Sequence, residues 1–441
     1  MRSILEFNID NIDLFAQNLS VLIDTVEVGA MLRGKDNISI PHTNIESRFD
    51  ILAGINYLSI CKPDKNKLDS LQQYIDLTND WILGYLSYDL KNDIENLTSK
   101  NIDELNFPEL FFFQPEVLLL LKSNCLFVHY YPQNTAQNDI EKIVQYLKGE
   151  TQANTKVISA VKFTSRYTKS EYLKTIEQVK KHIARGDIYE MNLCQEFFHR
   201  DCIISPAHTF NKLYSISPTP FATFLKVNDK YLMSASPERY IRKDADIVVS
   251  QPIKGTAARK DDVAEDALVK EQLKTDTKER AENIMIVDLV RNDLSKVASR
   301  GSVFVNELCG IYSFKQVHQM ISTVTCKLQP GCKIVEPIKA TFPMGSMTGA
   351  PKVRAMQLIE EFERTKRGLF SGSVGYFTPQ GDFDFNVVIR SLLYNKQSKY
   401  LSFSVGGAIT FNSEPEKEYN ECLLKAKAIL STLNATIQNA E

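Results

Sequence analysis

The sequence lacks paired cysteines, long apolar runs and an excess of charge of either sign. Its 441 residues carry 52 Lys and Arg against 54 Asp and Glu, and the absence of a basic excess argues against a nucleic-acid partner. The eight cysteines form no CxxC pair, and the spacing of the nearest two, Cys326 and Cys332, matches no zinc motif. We therefore expect a small molecule or another protein as the partner.

Membrane and export signals are also missing. No apolar stretch reaches the roughly 18 residues that a membrane-spanning helix needs, and the nearest one, FPELFFFQPEVLLLLK, is broken by proline and glutamate. The N-terminal stretch MRSILEFNIDNIDLF contains acids and is a poor match to a signal peptide. The composition, 43% hydrophobic and 24% charged, is that of an ordinary globular protein. We expect a reduced, cytoplasmic protein without membrane contact.

The hydrophobic pattern predicts an α+β fold. A polar stretch, 151–157, is the best candidate for a boundary between an N-terminal region, 1–155, and a larger second domain, 156–435. Periodicity predicts helices over 168–187, 264–294, 351–364 and 415–432, with strands such as FATFLKV, KYLMSAS, DADIVVSQPI, GSVGYFT, FNVVIRSLLY and YLSFSVGGAIT between them. Runs of strands with few helices predict large, mostly antiparallel sheets flanked by helices.

Two glutamate pairs are candidate metal ligands. Glu279 and Glu282, and likewise Glu418 and Glu421, have i,i+3 spacing on predicted helices, so each pair places two carboxylates on one face. Two such faces across a cleft would offer Mg²⁺ the hard oxygen ligands that it prefers. A solvated helix face is the alternative for either pair alone. Against that alternative, Glu282 directly precedes the apolar run NIMIVDLV, and Glu421 adjoins Cys422.

Glycines and one isolated arginine suggest a site for an anionic ligand. PMGSMTGAPKVRAMQLI, 343–359, places glycines before a helix that begins near Pro351, where backbone amides can bind an anion. Its lysine spacing is not that of a P-loop. SVGGAIT, 404–410, has two glycines at a strand end, where backbone can approach a ligand. Arg390 stands alone in a predicted apolar strand, so it faces either a substrate carboxylate or solvent.

Three further residues are candidates for catalysis. Lys254 lies in PIKGT, between an apolar strand and a glycine turn. To act as a nucleophile it must give up its proton, which burial or the nearby cations Arg259 and Lys260 would favour. A solvated loop lysine is the alternative. Glu238 follows a proline at a strand end and could serve as a general acid. His318 is one of six histidines, and a structural role is the alternative for it.

Together these segments resemble the chorismate-utilising enzymes, the family that includes the anthranilate synthase large subunit, aminodeoxychorismate synthase component I, and the isochorismate and salicylate synthases. The resemblance runs in order through about residues 160–430, and residues 1–155 carry no comparable signature. The matching stretches are GDIYEMNL, SPERY, PIKGTAAR, KERAENIMIVDLVRNDL, YSFKQVHQMIST, GSMTGAPKVRAMQLIE, GSVGYF, NVVIRSL, VGGAIT and EYNECLLKAKAIL. It implies the chorismate-binding fold of the anthranilate synthase component I type.

The resemblance also implies roles for individual residues. Lys254 would attack C2 of chorismate while Glu238 assists departure of the 4-hydroxyl, and His318 would lie near the ring. Magnesium would be held directly by Glu282 and Glu421, and directly or through water by Glu279 and Glu418. The remaining family positions would bind substrate: Thr348 and Gly349 at the ring, and Tyr376, Arg390, Gly407 and Ala408 at the enolpyruvyl carboxylate.

Within the family, the PIKGT form looks like aminodeoxychorismate synthase component I, since anthranilate synthases usually carry alanine in place of the lysine. Anthranilate synthase component I and a non-catalytic chorismate-binding regulatory protein remain the alternatives. The water-activating lysine of isochorismate and salicylate synthases would fall near Glu190, and a carboxylate there argues against their chemistry. No cysteine lies in a GxCxG-like turn, so a separate glutamine amidotransferase subunit is expected to supply ammonia.

Many family members bind tryptophan through an LLES-like motif in their N-terminal half. The only comparable segment here is NIESRFD, 44–50, which is not a convincing match. The sequence therefore gives no support for tryptophan binding.

Overall fold

The computed structural model describes residues 1–34, 40–41, 43, 45, 47–150 and 161–438. The strands within these ranges are β1 (Ser3–Asn8), β2 (Val28–Arg33), β3 (Ile51–Cys61), β4 (Ile82–Leu86), β5 (Leu110–Lys122), β6 (Cys125–Tyr130), β7 (Lys162–Ser165), β8 (Glu190–His199), β9 (Phe221–Val227), β10 (Lys230–Ser236), β11 (Arg239–Asp244), β12 (Ile247–Gln251), β13 (Ile253–Ala258), β14 (Phe304–Ser313), β15 (Val317–Lys327), β16 (Gly349–Ala350), β17 (Ser373–Phe377), β18 (Phe383–Asn386), β19 (Ser391–Asn395), β20 (Tyr400–Ile409) and β21 (Thr436–Gln438).

The α-helices in the described ranges are α1 (Ile12–Thr25), α2 (Lys67–Thr78), α3 (Lys91–Ile94), α4 (Gln137–Lys148), α5 (Lys169–Ala184), α6 (Pro206–Ile216), α7 (Val263–Thr275), α8 (Thr277–Ser295), α9 (Glu336–Thr341), α10 (Lys352–Phe362) and α11 (Pro415–Leu433). Two short 3₁₀ helices cover Tyr88–Leu90 and Gly345–Met347. Helix α5 begins with a complete capping box, in which Thr168 and Glu171 satisfy each other's backbone amides.

The strands form one hydrogen-bonded network with two branches that meet at β5. One branch runs β5–β3–β2–β9–β10–β19–β20–β8–β7, and the other runs β5–β4–β17–β18–β11–β12–β15. The pairings are antiparallel apart from the parallel pair of β7 with β21. The predicted α+β fold with large, mostly antiparallel sheets is confirmed.

Alternating side chains along the strands divide the apolar interior into two cores. Phe224 and Met233 point into a core shared with α1, α5, α6 and α11, whereas their neighbours Leu225 and Leu232 point into a second core. The second core also contains strand residues of the other branch and the apolar face of α8. This alternation follows from the two-residue period of a strand. Packing in these two cores holds α8 and α11 against the sheets. Each of the two helices carries one of the glutamate pairs.

Strands from both sides of the predicted domain boundary pair with each other. Strand β2 pairs with β9, and β4 pairs with β17. The boundary itself, at residues 155 and 156, lies outside the described residues, as do residues 44 and 46 of the segment compared with the tryptophan motif. The division into two domains therefore stays a prediction, although hydrogen bonds join the two parts in one sheet.

Two predicted elements are wrong in detail. The helix expected over 264–294 is split into α7 and α8, because Asp276 is extended and its carboxylate caps α8 by accepting a hydrogen bond from the backbone N–H of Glu279 at 2.9 Å. The strand expected over FNVVIRSLLY is broken between β18 and β19. Arg390 lies in that break with a positive φ of 50°, so it is not in a strand as predicted.

Two expectations about the whole chain, one on membrane-spanning helices and one on the state of the cysteines, can be compared with the described residues. No helix among them is both long and apolar enough to span a membrane. All eight cysteines lie in the described ranges, and each is a free thiol.

Candidate active site

Lys254 lies at an irregularity in strand β13. The register of β13 against β15 shifts between Ile253 and Thr256, and Gly255 adopts a positive φ of 89°. Such a bulge turns a side chain away from the regular alternation of the strand. The sequence predicted a turn after an apolar strand, and the structure has a bulge within a continuous strand instead. The bulge directs Lys254 into the protein, where only 11% of its side chain is exposed.

Five carboxylates surround Lys254. The nearest is that of Glu190, at the start of β8, whose Oε1 lies 4.0 Å from Lys254 Nζ. The remaining four also interact with the positive charge of Lys254, which opposes the burial-driven rise in the pKa values of Glu238, Glu279 and Glu282 and helps to lower the pKa of Glu421. The structure thus brings the predicted nucleophile, the predicted acid and three of the predicted metal ligands into one electrostatic cluster.

Glu238 lies between β10 and β11, where the chain passes from one sheet branch to the other. Burial raises the pKa of Glu238 to about 7, although the Ile253 amide and the cations Lys254 and Arg390 oppose this effect. A carboxyl group with that pKa is partly protonated at neutral pH and can donate a proton. The environment therefore suits the predicted role of general acid.

Arg390 faces Glu238 from the break between β18 and β19. Burial lowers the pKa of Arg390, and the negative charge of Glu238 opposes this shift. The backbone carbonyl of Arg390 accepts a hydrogen bond from the Ala235 amide at 3.2 Å, which fixes the break beside β10. Arg390 and Glu238 therefore interact electrostatically inside the protein.

The two glutamate pairs face each other across a lysine. Lys278 Nζ lies 3.4 Å from Glu418 Oε1 and 3.8 Å from Glu282 Oε1, so one cation of α8 links the carboxylates of α8 and α11. Glu421 is paired instead with Lys425, at 2.7 Å between Nζ and Oε1. The i,i+3 pattern thus predicted two opposed carboxylate faces, and the two lysines were not among the predicted site residues.

The glutamates differ in their pKa values because their surroundings differ. Burial raises the pKa of Glu282 to about 7, against the charges of Lys254 and Lys278. Burial and the nearby Glu421 raise the pKa of Glu279. Burial also acts on Glu421, but Lys425 outweighs it and the pKa of Glu421 falls below its usual value. The two helices therefore bring several carboxylates together, and a cation bound between them would reduce their mutual repulsion.

Glycines leave room for these carboxylates. A Cβ on Gly255 would come within 3.1 Å of Glu279 Oε2, and a Cβ on Gly407 would come within 3.3 Å of Glu418 Oε2 and 3.7 Å of Glu421 Oε1. Ala408, the next residue of β20, is opposite Asn192 of β8 in the sheet. Hence the bulge of β13 and the end of β20 both approach the glutamate faces closely.

The donor set fits a hard divalent cation. Oε1 of Glu282 is buried and accepts no hydrogen bond among the described residues, and the Lys278 ammonium occupies the space between Glu282 and Glu418 as a cation would. Oxygen-only ligands of this kind favour Mg²⁺. Within the described ranges, however, no three or more His, Cys, Asp or Glu side chains are already grouped closely enough to hold a metal ion. The magnesium site therefore stays a prediction.

The glycine-rich turn packs directly against the start of β8. A Cβ on Gly349 would come within 2.3 Å of the Glu190 carbonyl oxygen, so only glycine fits. The Asn192 backbone N–H donates to the Thr348 carbonyl at 2.8 Å, and its side-chain amide donates to the Ser346 carbonyl at 2.9 Å. The Thr348 hydroxyl donates within the turn, to the Met344 carbonyl at 3.2 Å. The turn thus lies beside Glu190, and the hydroxyl of Thr348 is used for a hydrogen bond within the turn.

Tyr376 is the predicted site residue that the structure places in a different group. Arg48 donates a hydrogen bond to its hydroxyl at 3.4 Å, and the rings of Phe49 and Trp81 lie 5.3 Å and 5.8 Å away. This group borders a cavity of about 50 Å³. None of these described contacts involves Lys254, so the predicted role of Tyr376 in substrate binding has no support from them.

His318 is fully engaged in a second network. Its Nδ1 lies 2.8 Å from the Ser313 hydroxyl and its Nε2 lies 3.0 Å from Asp266 Oδ1, while Asp266 also binds Arg259 at 2.8 Å. The histidine is opposite Ala257 in the pairing of β15 with β13. These contacts support a structural role that ties α7 to β15, and a catalytic role stays a prediction.

Sequence reasoning missed three residues of this cluster. Glu190 entered only as an argument against water activation, and Ser346 and Lys278 were not considered. Buried atoms of Glu190, Oε2, and of Ser346, Oγ, have no hydrogen-bond partner among the described residues. For Lys278 a signal existed, because it stands four residues before Glu282 on the same helix. Glu190 and Ser346 meet the site only through the fold.

The family model, the curated relatives and the solved structure point to the same family. The family described as chorismate binding enzyme matches residues 39–431. An anthranilate synthase component I-like protein from Synechocystis is 34% identical over 87% of this chain and 79% of its own length. The aminodeoxychorismate synthase component 1 of Bacillus subtilis is 33% identical over 80% of this chain and 76% of its own length. The solved anthranilate synthase component I of Streptococcus pneumoniae is 26% identical, with a TM-score of 0.76, over 91% of this chain and 95% of its own.

Proposed function

The chain belongs to the chorismate-binding enzymes, and we propose that it is aminodeoxychorismate synthase component I, which forms 4-amino-4-deoxychorismate from chorismate and ammonia. The observation that carries the proposal is the position of Lys254. Its amine lies inside the protein at a strand bulge, close to the carboxylate of Glu190. It also interacts electrostatically with Glu238. This position places an amine among the acidic residues of the site, where a nucleophile is needed. Relatives named for this activity and for anthranilate synthesis match the chain about equally, so the residues of the site carry the choice.

The reaction proceeds through a covalent intermediate on Lys254. Its neutral amine attacks C2 of chorismate, the double bonds shift, and the bond from C4 to the hydroxyl oxygen breaks. Glu238 donates the proton with which that hydroxyl departs as water. Ammonia then forms a bond to C4, the double bonds shift back, and the bond between C2 and Lys254 breaks, with its electron pair returning to the amine. The ammonium formed at C4 returns one proton to Glu238, which restores the acid. The sum is then chorismate plus ammonia giving aminodeoxychorismate plus water.

Substrate charges are matched by the surrounding residues. Arg390, facing Glu238, would pair with the enolpyruvyl carboxylate, and the backbone at Gly407 and Ala408 would lie beside it. Thr348 and Gly349 would border the ring. Magnesium, held by Glu282 and Glu421 with Glu279 and Glu418 within reach directly or through water, would neutralise and fix the ring carboxylate. Tyr376 and His318 are not needed for any of these steps.

Ammonia is the second substrate, and we expect a glutamine amidotransferase subunit to supply it. The free cysteines of this chain support a separate partner, since burial raises the pKa of Cys194 to about 12 and that of Cys422 to about 11, which disfavours the nucleophilic thiolate. Product would then form from glutamine only when the partner is present, and from ammonium salts without it.

Product analysis tests the proposal. The purified chain is incubated with chorismate, Mg²⁺ and ammonium, and the product is identified by mass spectrometry and by fluorescence. We expect aminodeoxychorismate from the wild type and a loss of at least ~100-fold in rate for Lys254→Ala. Lys260→Ala, which removes an exposed lysine from the same segment, is the matched control and should retain full activity. Fluorescent anthranilate as the direct product would instead establish anthranilate synthase, and chorismate binding without turnover would establish a regulatory protein.

A further inference from the structure

Glu190 is a buried carboxylate with one oppositely charged neighbour within 4.0 Å among the described residues. Only 2% of its side chain is exposed, and its Oε1 lies 4.0 Å from Lys254 Nζ. Its other oxygen, Oε2, is buried and has no hydrogen-bond partner among the described residues. Burying a carboxylate without donors costs free energy, so this arrangement needs an explanation beyond packing.

The backbone around Glu190 is held firmly, and its side chain is not. Ala350 is opposite Glu190 in the pairing of β16 with β8, and the Tyr189 amide donates to the Ala350 carbonyl at 2.7 Å. The buried structural pair of Glu363 with Arg367 looks different. There both carboxylate oxygens are bonded to the guanidinium, at 2.6 Å and 2.9 Å. Glu190 therefore lacks the saturated contacts of a structural ion pair.

We propose that Glu190 is the proton acceptor that converts the Lys254 ammonium into the nucleophilic amine. An ammonium has no electron pair with which to attack carbon, so a proton must leave before the bond to C2 can form. The Nζ–H bond breaks, the proton moves to a carboxylate oxygen of Glu190, and the electron pair stays on Nζ for the attack. When ammonia has added at C4 and Lys254 leaves as the neutral amine, the proton returns from Glu190 to Nζ. The shuttle therefore balances within each turnover.

The other carboxylates near Lys254 are less suited to this task. Glu279 and Glu282 of α8 and Glu421 of α11 form the cation-binding faces, and Glu238 must carry a proton to serve as the acid for the leaving hydroxyl. The carboxylates of Glu279, Glu282 and Glu421 stabilise the Lys254 ammonium through their charge. Glu190 approaches from β8, on the side of the glycine-rich turn, and is closest to Nζ. Its unpartnered Oε2 can also hold a proton without breaking an existing bond.

This inference rests on the covalent route of the proposed function, and it is tested on the first half-reaction alone. The protein is mixed with chorismate and Mg²⁺ without ammonia, and the adduct on Lys254 is followed by the mass of the intact protein. For Glu190→Gln we expect adduct formation to slow by about 100-fold, with the dissociation constant of chorismate changed less than about twofold. Glu190→Asp should recover part of the rate. Glu177→Gln, an exposed change on α5, is the control for the loss of a carboxylate.

A pH series separates proton transfer from a structural role. As the pH rises, hydroxide in solution can take over the proton transfer, so the ratio of wild-type to Glu190→Gln rates should fall toward one. A purely structural role would keep that ratio constant. Glu238, Glu279, Glu282 and Glu421 on the neighbouring elements also titrate, and the Glu190 charge itself raises the pKa of Glu282, so Glu190→Asp, which keeps that charge, is measured over the same series.

The outcomes are distinct. Equal adduct rates in the wild type and Glu190→Gln, or a ratio independent of pH, would overturn the role of Glu190 and leave the proposed function intact. No Lys254 adduct in the wild type would overturn both the covalent route and this inference. If Glu190→Gln does not fold, as judged by its melting temperature, Glu190→Asp carries the test, and its adduct rate must then lie below that of the wild type at neutral pH and approach it at high pH.

Discussion

Gly407 lies directly against the carboxylate of Glu418, so that a Cβ on Gly407 would come within 3.3 Å of Oε2. The carboxylate is the end of a flexible side chain, and it would yield by a few tenths of an ångström. Glu421 Oε1, at 3.7 Å from the same point, would be in ordinary contact. A glycine at this position of β20 therefore sets how closely the strand approaches the glutamate face of α11.

Replacing Gly407 by alanine should weaken magnesium binding more than it weakens the fold. The added methyl group displaces Glu418, so we expect the Mg²⁺ concentration for half-maximal activity to rise by about three- to tenfold, since a displaced ligand costs roughly 1 kcal/mol. Titration of activity with Mg²⁺ measures this change. Gly149→Ala is the control, because a Cβ at Gly149 would be in ordinary contact with its nearest atoms, at 3.4 Å and 3.5 Å. Gly149 is also far from Glu418 and Glu421 in the sequence. An unchanged Mg²⁺ requirement in Gly407→Ala would argue against Glu418 as a ligand.

Lys278→Met should increase the response of the protein to magnesium. The lysine lies between Glu418 and Glu282 and competes with a divalent cation for their oxygens. Without it the carboxylates repel each other, so the metal-free protein should melt at a lower temperature, and Mg²⁺ should raise the melting temperature by more than in the wild type. Thermal melting with and without Mg²⁺ measures both effects. Lys274→Met, at a more exposed position on α7 and 4.0 Å from Glu271, should behave as the wild type. A smaller magnesium response in Lys278→Met would count against the site.

Much of the fold and part of the site could be predicted from the sequence, because they depend on local periodicity. The apolar stripes of α5 and α11 and the alternation of the strands are local patterns, and the i,i+3 spacing placed each glutamate pair on one face. The break at Arg390 carries no such signal, since no glycine or proline marks its positive φ. The contact between Glu190 and Lys254 joins β8 to β13 across the fold. The role of Tyr376 was inferred from the resemblance alone and stays a prediction, because a strand has two faces and the sequence alone does not show which one meets the site.

The stability of the metal-free protein should depend on pH through Glu238. Its folded pKa, about 7, lies above the usual 4.5, so ionising this buried carboxyl opposes folding. The cost is absent below about pH 4.5, grows as the pH rises, and is complete above about pH 7, where the gap corresponds to about 3 kcal/mol as an upper estimate. Glu238→Gln has no charge to bury, so its melting temperature relative to the wild type should rise across this range.

Melting curves at several pH values in the presence of a chelator test this prediction. Glu177→Gln on α5 is the control, and its difference from the wild type should stay constant. A constant difference for Glu238→Gln as well would show that the carboxyl of Glu238 does not titrate in this range, and the assignment of Glu238 as the proton donor would then lose its basis.

The buried pair of Glu363 and Arg367 should hold the glycine-rich turn in place. Arg367 donates to the Asn192 carbonyl at 2.9 Å and to the Met347 carbonyl at 2.5 Å, and Glu363 accepts from the Cys194 amide at 2.8 Å. Arg367→Met leaves the Glu363 charge buried without its partner, which we expect to cost about 3 to 5 kcal/mol of stability. The double change of Glu363→Leu with Arg367→Met removes both charges and should be less destabilising than the single change.

Urea-induced unfolding of the single and double variants measures these differences. Arg364→Met breaks the exposed ion pair with Glu171, whose side chains are 44% and 41% exposed, and should change stability by less than about 1 kcal/mol. Because Arg367 also binds the carbonyl of Met347 within the glycine-rich turn, Arg367→Met should lower the turnover rate even at temperatures where the variant stays folded. A folded Arg367→Met with normal turnover would show that the turn keeps its position beside Glu190 without this support.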